Sequence, residues 1–299
     1  MSCPRRCCLS LREEFRLKNF GFGDVYKGRF FMWHWRIPPI LYLLYRFVMA
    51  VYVDVWLIYL CVDQSGVPLN GLSFAAFLTN WTYTVLALYM TTHFIAAFIH
   101  YICLRYEDTK FVRRPPSQGH QNMFPEASTD PWMVTSTGYE SIPDGVGDID
   151  FRLFGLPWYL KIVWILFNVV SSCAIMVTLI FFAVLFPQMS GMDAGAMGNV
   201  QLHMLNSVIV VIEHVLSAIP IRLLHVIYPI TYGLVYVFFS VFYWIPDHSR
   251  VMYPKVLDWN EPGLTIGMVL LIGFVIIPVL HSFFYLIYKL KLVIYMKLG

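Results

Sequence analysis

The chain reads as an all-α integral membrane protein, a six-transmembrane-helix bundle with its N and C termini cytoplasmic. Composition, six long apolar runs and a one-sided placement of basic residues predict this class. Hydrophobic residues make up 59% of the 299 and charged residues 13%, with a mean hydropathy of +0.64. A soluble domain carries about 25% charged residues.

The apolar runs cover 37–61, 73–104, 156–186, 200–218, 223–245 and 264–288. Each is long enough for a hydrocarbon core of roughly 30 Å, and too long for a barrel strand. The fourth is the shortest and most polar; a full, buried span is expected there rather than a re-entrant segment. Prolines 229 and 278 interrupt spans five and six, where kinks are expected.

Orientation follows from the loops. Lys and Arg number 17 in the two termini, the 105–152 stretch and Arg222, against 2 (Arg250 and Lys255) in the opposite loops. Basic residues stay on the cytoplasmic side. The resulting organisation is a basic cytoplasmic or interfacial N-terminus (1–36), helices 1 and 2 (37–104), a flexible cytoplasmic loop (105–155), helices 3 to 6 (156–288) and a short basic cytoplasmic tail (289–299). The loop is rich in Pro, Ser, Gly and Asp, the composition of a linker. Trp33, Trp35 and Arg36 are expected to anchor the chain where it enters the bilayer.

The first 36 residues lack an apolar signal-peptide core, so the first span is expected to direct insertion. Cys3, Cys7 and Cys8 lie in a basic CPRRCC segment suited to S-palmitoylation; unmodified thiols are the plainer alternative. No metal-ligand spacing and no phosphate-cradling glycine loop is present, so no cofactor, metal or nucleic-acid partner is implied.

The most informative segment is NVQLHMLNSVIVVIEHVL. His203, Asn206 and Glu213 lie at about 40°, −20° and −40° from Asn199 at 100° per residue, so all four share one stripe. Polar side chains at membrane depth face a bundle interior or a wet cavity. At 1.5 Å per residue, Asp54, Thr79 and His203 lie about 10, 9 and 5 Å below the outer surface, and Asn206 about 9 Å. A carboxylate, a hydroxyl and an imidazole at similar depth are the groups acyl transfer requires: Thr79 as nucleophile, His203 as base, Asp54 as orienter. Asn80, Asn199 and Asn206 are candidate oxyanion donors. Glu213, about 15 Å below His203, matches the depth of Arg46 instead and is expected to form a structural ion pair with it. Asp247 and His248 are candidates for a cavity mouth, or are ordinary surface residues.

Several segments resemble the rolling stone family, membrane proteins named for a role in insect myoblast fusion. They are EEFRLKNFGF, WHWR with YLLYR, FLTNWTYTVLALYM, HMLNSVIVVIEH and VMYPKVLDW. More distantly, the chain is similar to the androgen-induced gene family, six-span threonine hydrolases of fatty-acid esters of hydroxy fatty acids. There the nucleophile follows Phe-Leu, as Thr79 follows Phe77-Leu78. The catalytic histidine is flanked as Asn199 and Glu213 flank His203. The chain departs from that pattern at Asn80-Trp81 and Met204-Leu205-Asn206.

This resemblance implies a multi-pass lipid-ester hydrolase with Thr79 as nucleophile and His203 as base. Membrane lipids and a lipid-ester substrate would be its partners, with the plasma membrane favoured over the endoplasmic reticulum. The alternatives are a non-enzymatic protein of cell–cell fusion or adhesion with a membrane protein partner, and a transporter or channel using the polar stripe.

Overall fold

The computed structural model describes residues 14–23, 25, 27–35, 37–65, 73–112, 156–188 and 197–298. Among these, six helices are long and apolar enough to cross a membrane: α1 (Pro39–Val62), α2 (Leu78–Cys103), α3 (Trp158–Leu185), α4 (Gly198–Leu216), α5 (Leu223–Trp244) and α6 (Pro262–Tyr295). The described residues contain no strand, only two isolated bridges. Hydrocarbon offers no hydrogen bonds, so a spanning backbone must satisfy its own. Side-chain hydroxyls follow the same rule: Thr82, Thr84 and Thr178 donate to the carbonyls of Leu78, Asn80 and Ala174 four residues back.

α3 is the central helix. It packs against α2, α4, α5 and α6, and buries Trp164, Phe167 and Cys173 almost completely. α1 leans mainly on α2. Its outward residues, such as Val55 and Ile58, are exposed to the bilayer.

Element boundaries depart from the sequence reading in ways that matter. α2 starts at Leu78, after a short 3₁₀ turn at Phe74–Ala76; the sequence had placed helix from residue 73. Thr79 therefore occupies the second position of the helix. α2 also continues helically to Val112, into the stretch expected to be loop. The helix of α6 runs on to Leu298 through the expected tail, and Lys291 within it is buried.

The N-terminal segment differs too. Residues 27–35 do not lie along an interface but fold into the bundle: Phe30 and Trp33 are buried, with Trp33 edge-on to Tyr42. The segment satisfies the end of α4, since His34 N–H donates to Leu216 O at 2.8 Å and Trp35 Nε1 to Val215 O at 2.8 Å. These are the orphan carbonyls every helix C-terminus leaves. Irregular chain follows α4, and its carbonyls are met by charged side chains. Lys291 Nζ donates to Ser217 O at 2.7 Å and Arg29 Nε to Ala218 O at 3.1 Å. Trp33 thus packs inside, against its expected role as a membrane anchor, and Arg36 lies outside the described residues.

The two prolines are accommodated differently. Pro229 falls in the first turn of the regular helix Ile227–Trp244, where its missing N–H has no intrahelical partner to lose. Pro278 follows a π-helical turn at Ile272–Ile276. That widened turn includes Phe274, whose carbonyl a proline ring at 278 would otherwise strike.

Candidate functional site

A cavity of about 190 Å³ opens among the first turn of α2, helices α3 to α6 and the 245–261 loop. Its walls are apolar, with Met176, Val177, Ile230 and Val269 among them, and its polar groups include Thr79, His203 and Tyr253. Three π-helical turns surround it: Phe181–Leu185 in α3, Gln201–Leu205 in α4 and Ile272–Ile276 in α6. Each contributes a wall residue: Leu185, His203 and Phe274. Such turns widen a helix locally and are frequent at functional sites.

Thr79 is placed by a well-bonded helix start. Asn80 Nδ2 donates to Phe74 O at 2.7 Å, Trp81 Nε1 to Ala75 O at 2.7 Å and Tyr236 hydroxyl to Ala76 O at 2.7 Å. The three bonds hold the 3₁₀ turn against α2 and α5. The Thr79 amide is one of the donors a helix N-terminus leaves without an intrahelical partner. It donates to the Tyr253 hydroxyl at 3.3 Å, and the Thr79 hydroxyl lies 3.5 Å from the same oxygen. Burial raises the Tyr253 hydroxyl above the ordinary tyrosine range, so it remains neutral and able to donate.

His203 reaches the same cavity from α4. Its ring stacks on Phe181 at 3.6 Å between centroids and 5° between planes. Nδ1 is buried and has no partner among the described residues. Its backbone carbonyl accepts a hydrogen bond from Thr178. Thr79 and His203 border one cavity without bonding to each other, each occupied by a neighbouring aromatic ring or hydroxyl.

The remaining candidates scatter. Asn80 serves the turn before α2, as described. Asn206 is fully buried; its amide donates weakly to Leu202 O at 3.4 Å, and Oδ1 has no partner among the described residues. Asn199 is half-buried in the first turn of α4.

Asp54 accepts a 2.6 Å hydrogen bond from Thr91 between α1 and α2. Thr91 lies twelve residues beyond Thr79 on α2, about 18 Å along the axis. Asp54 is not among the cavity residues, so it does not orient His203. The depth match fails because α1 stays helical to Ser65 and α2 starts only at Leu78.

Arg46 and Glu213 meet at 2.6 Å, both nearly inaccessible. Tyr45 and Tyr89 hydroxyls donate to the two carboxylate oxygens at 2.5 and 2.8 Å. The guanidinium lies over the rings of Tyr42, Tyr45 and Tyr89 at 4.8, 5.5 and 5.9 Å. His93 extends the network, 3.1 Å from Tyr42 hydroxyl and 3.2 Å from Tyr89 hydroxyl. Cys3, Cys7 and Cys8 lie outside the described residues.

The 245–261 loop brings Tyr253, Val256 and Leu257 to the cavity, not Asp247 or His248. Asp247 bonds Ser249 and Arg250 on the exposed face, and the Ser249 bonds hold its carboxyl below the usual range. His248 stacks on Trp244 at 4.1 Å. In the sequence Tyr253 stands out only within the VMYPKVLDW segment, with no role attached to it. Phe186 packs on Phe181, the ring that stacks on His203.

No curated protein and no solved structure matches the chain. A family model described as protein rolling stone matches residues 156–298, the part that supplies α3 to α6 and the 245–261 loop. Over this segment, which builds most of the cavity wall, the chain is similar to the rolling stone family.

Proposed function

We propose that the cavity is the active site of a membrane-embedded lipid-ester hydrolase, with Thr79 as nucleophile and His203 as general base. The observation that supports it is the placement of both side chains on one apolar cavity at the end of the bundle where α2 begins. In the reaction, Thr79 Oγ1 attacks the ester carbonyl carbon while His203 takes its proton. The C–O bond to the alcohol then breaks, His203 returns the proton to the leaving oxygen, and acyl-threonine remains. Water, deprotonated by His203, cleaves that ester, releases the fatty acid and restores Thr79.

In the substrate-free geometry the two side chains are not bonded. Catalytic hydrogen bonds are often long before substrate binds and tighten in the complex. Here the ester group replaces the Thr79–Tyr253 contact, which leaves the Thr79 amide and the Tyr253 hydroxyl as donors to the developing oxyanion. With basic loops cytoplasmic, the cavity end of the bundle faces the outer side of a membrane, the plasma membrane on this reading.

The test is a lipid-ester screen on the purified full-length protein. Release of free fatty acid from at least one ester by the parent, lost in Thr79→Ala and in His203→Ala at equal folded yield, supports the assignment. Equal release by parent and variants overturns it.

A further inference from the structure

We infer that the cavity takes a single hydrocarbon chain directly from the bilayer, through the seam between α5 and α6 at Gly273. Three wall residues are also on the lipid-facing surface: Leu234 on α5 is 47% exposed, and Leu270 and Phe274 on α6 are 51% and 75% exposed. The same side chains border the interior and the hydrocarbon, so the cavity wall is open there.

The seam is built to stay thin. Gly233 on α5 and Gly273 on α6 both border the cavity. A Cβ added at Gly273 would meet nothing within 4 Å, and one at Gly233 only Ile277 Cδ1 at 3.9 Å. Both helices lean on α3, and the π-helical turn of α6 falls at the seam.

The aqueous end is covered. Tyr253, Val256 and Leu257 overlie it. Their loop is tied to α5 by Trp259 Nε1 donating to Ser240 Oγ at 3.0 Å and by Tyr236 hydroxyl against Met252 sulfur at 3.5 Å. A ligand therefore arrives sideways, and at that depth the bilayer supplies hydrocarbon chains.

Size and polarity narrow the occupant. A volume of about 190 Å³ is below the roughly 300–1,000 Å³ of sites that enclose whole drug-sized ligands. It suits one chain of a lipid rather than an entire two-chain molecule. Gly273 lies eleven residues into α6, about 16 Å below its start, so a chain entering there extends toward Thr79 with its carboxyl or ester group at the polar end. Three groups line that end: the Thr79 amide, the Tyr253 hydroxyl and the His203 ring, whose Nδ1 is buried without a partner among the described residues. Only the position of the carbonyl rests on the hydrolase reading; the chain site stands on the cavity and its seam.

The test uses the full chain in lipid nanodiscs and a palmitic-acid analogue carrying a mid-chain diazirine, photolysed and mapped by peptide mass spectrometry. Adducts on the wall segments of α5 and α6 are expected. Gly273→Phe should lose most of them, because the ring occupies the opening. Gly267→Phe is the control: it lies on the same helix, its added Cβ also meets nothing within 4 Å, and it does not border the cavity. It should label like the parent. Thr79→Ala should retain the adducts while losing hydrolysis, which separates the two claims. Adducts unchanged by Gly273→Phe, or found only on outward surfaces away from the seam, overturn the inference. So does folded parent that gives no adduct. Intact adducts without hydrolysis by the parent would overturn the hydrolase reading alone.

Discussion

The two ends of the bundle place their buried polar groups in different company. Around Arg46 and Glu213 the carboxylate is fully engaged, while Arg46 Nε and Nη2 are buried without a hydrogen-bond partner among the described residues and the guanidinium lies over tyrosine rings. The carboxylate accepts from Arg46, Tyr45 and Tyr89, and His93 links Tyr42 to Tyr89. Around the cavity, His203 Nδ1 and Asn206 Oδ1 are buried without partners among the described residues, and the helices loosen into π-helical turns. Unsatisfied buried polar groups cost stability. Both regions hold such atoms; they differ in that the first ties a charged pair and its tyrosines into one network, while the second leaves an imidazole nitrogen unbonded on a residue that lines a cavity. The first region is the brace; the second is the proposed working site.

The largest effect is therefore expected at the brace. Glu213→Ala leaves Arg46 charged and buried, at a cost of about 3–5 kcal/mol. Folded yield and the thermal unfolding midpoint in detergent should fall together. Phe30→Ala empties a fully buried position in the N-terminal segment and should cost about 3–5 kcal/mol, measured the same way. A near-neutral Phe30→Ala would show that this segment is not part of the brace. At the cavity, Tyr253→Phe removes only the hydroxyl beside Thr79 and should cost about 0.5–1.5 kcal/mol, yet slow ester cleavage severely.

The smallest effect at neutral pH is a pH dependence, which emerges only on acidification. Burial, reinforced by the nearby Lys291 cation, lowers His34 from 6.5 to about 4. The unfolded chain binds that proton more readily, so the contribution is complete above pH about 6.5 and is lost as pH falls toward about 4. His34→Gln should flatten the stability profile across that window. A variant profile superimposable on the parent's would remove His34 from the account.

Much of this division is legible in the sequence, because bilayer thickness sets span length and leaves few places for a charge. The six spans are read from apolar runs alone. The Arg46 and Glu213 partners can be picked by depth, since two charges at one level in hydrocarbon have strong reason to meet. Depth fails for Asp54, because α1 runs on to Ser65 and α2 starts five residues late, so its partner on α2 is Thr91, twelve residues beyond Thr79. Thr79 and His203 can be placed near one end but not in contact, because azimuth and side-chain stacking depend on packing. The burial of Trp33 and the reach of Tyr253 are long-range facts with no periodic signature; an aromatic residue before a proline reads equally well as an interfacial anchor.

The central claim is that Thr79 is chemically activated where other membrane threonines are not. Fluorophosphonate labelling of the detergent-purified protein, with the modified residue mapped by mass spectrometry, addresses it directly. The account predicts one adduct, on Thr79, absent from Thr79→Ala and His203→Ala of equal thermal stability and present in Thr91→Ala. A well-folded parent that takes no label, or labels equally in all variants, would contradict it.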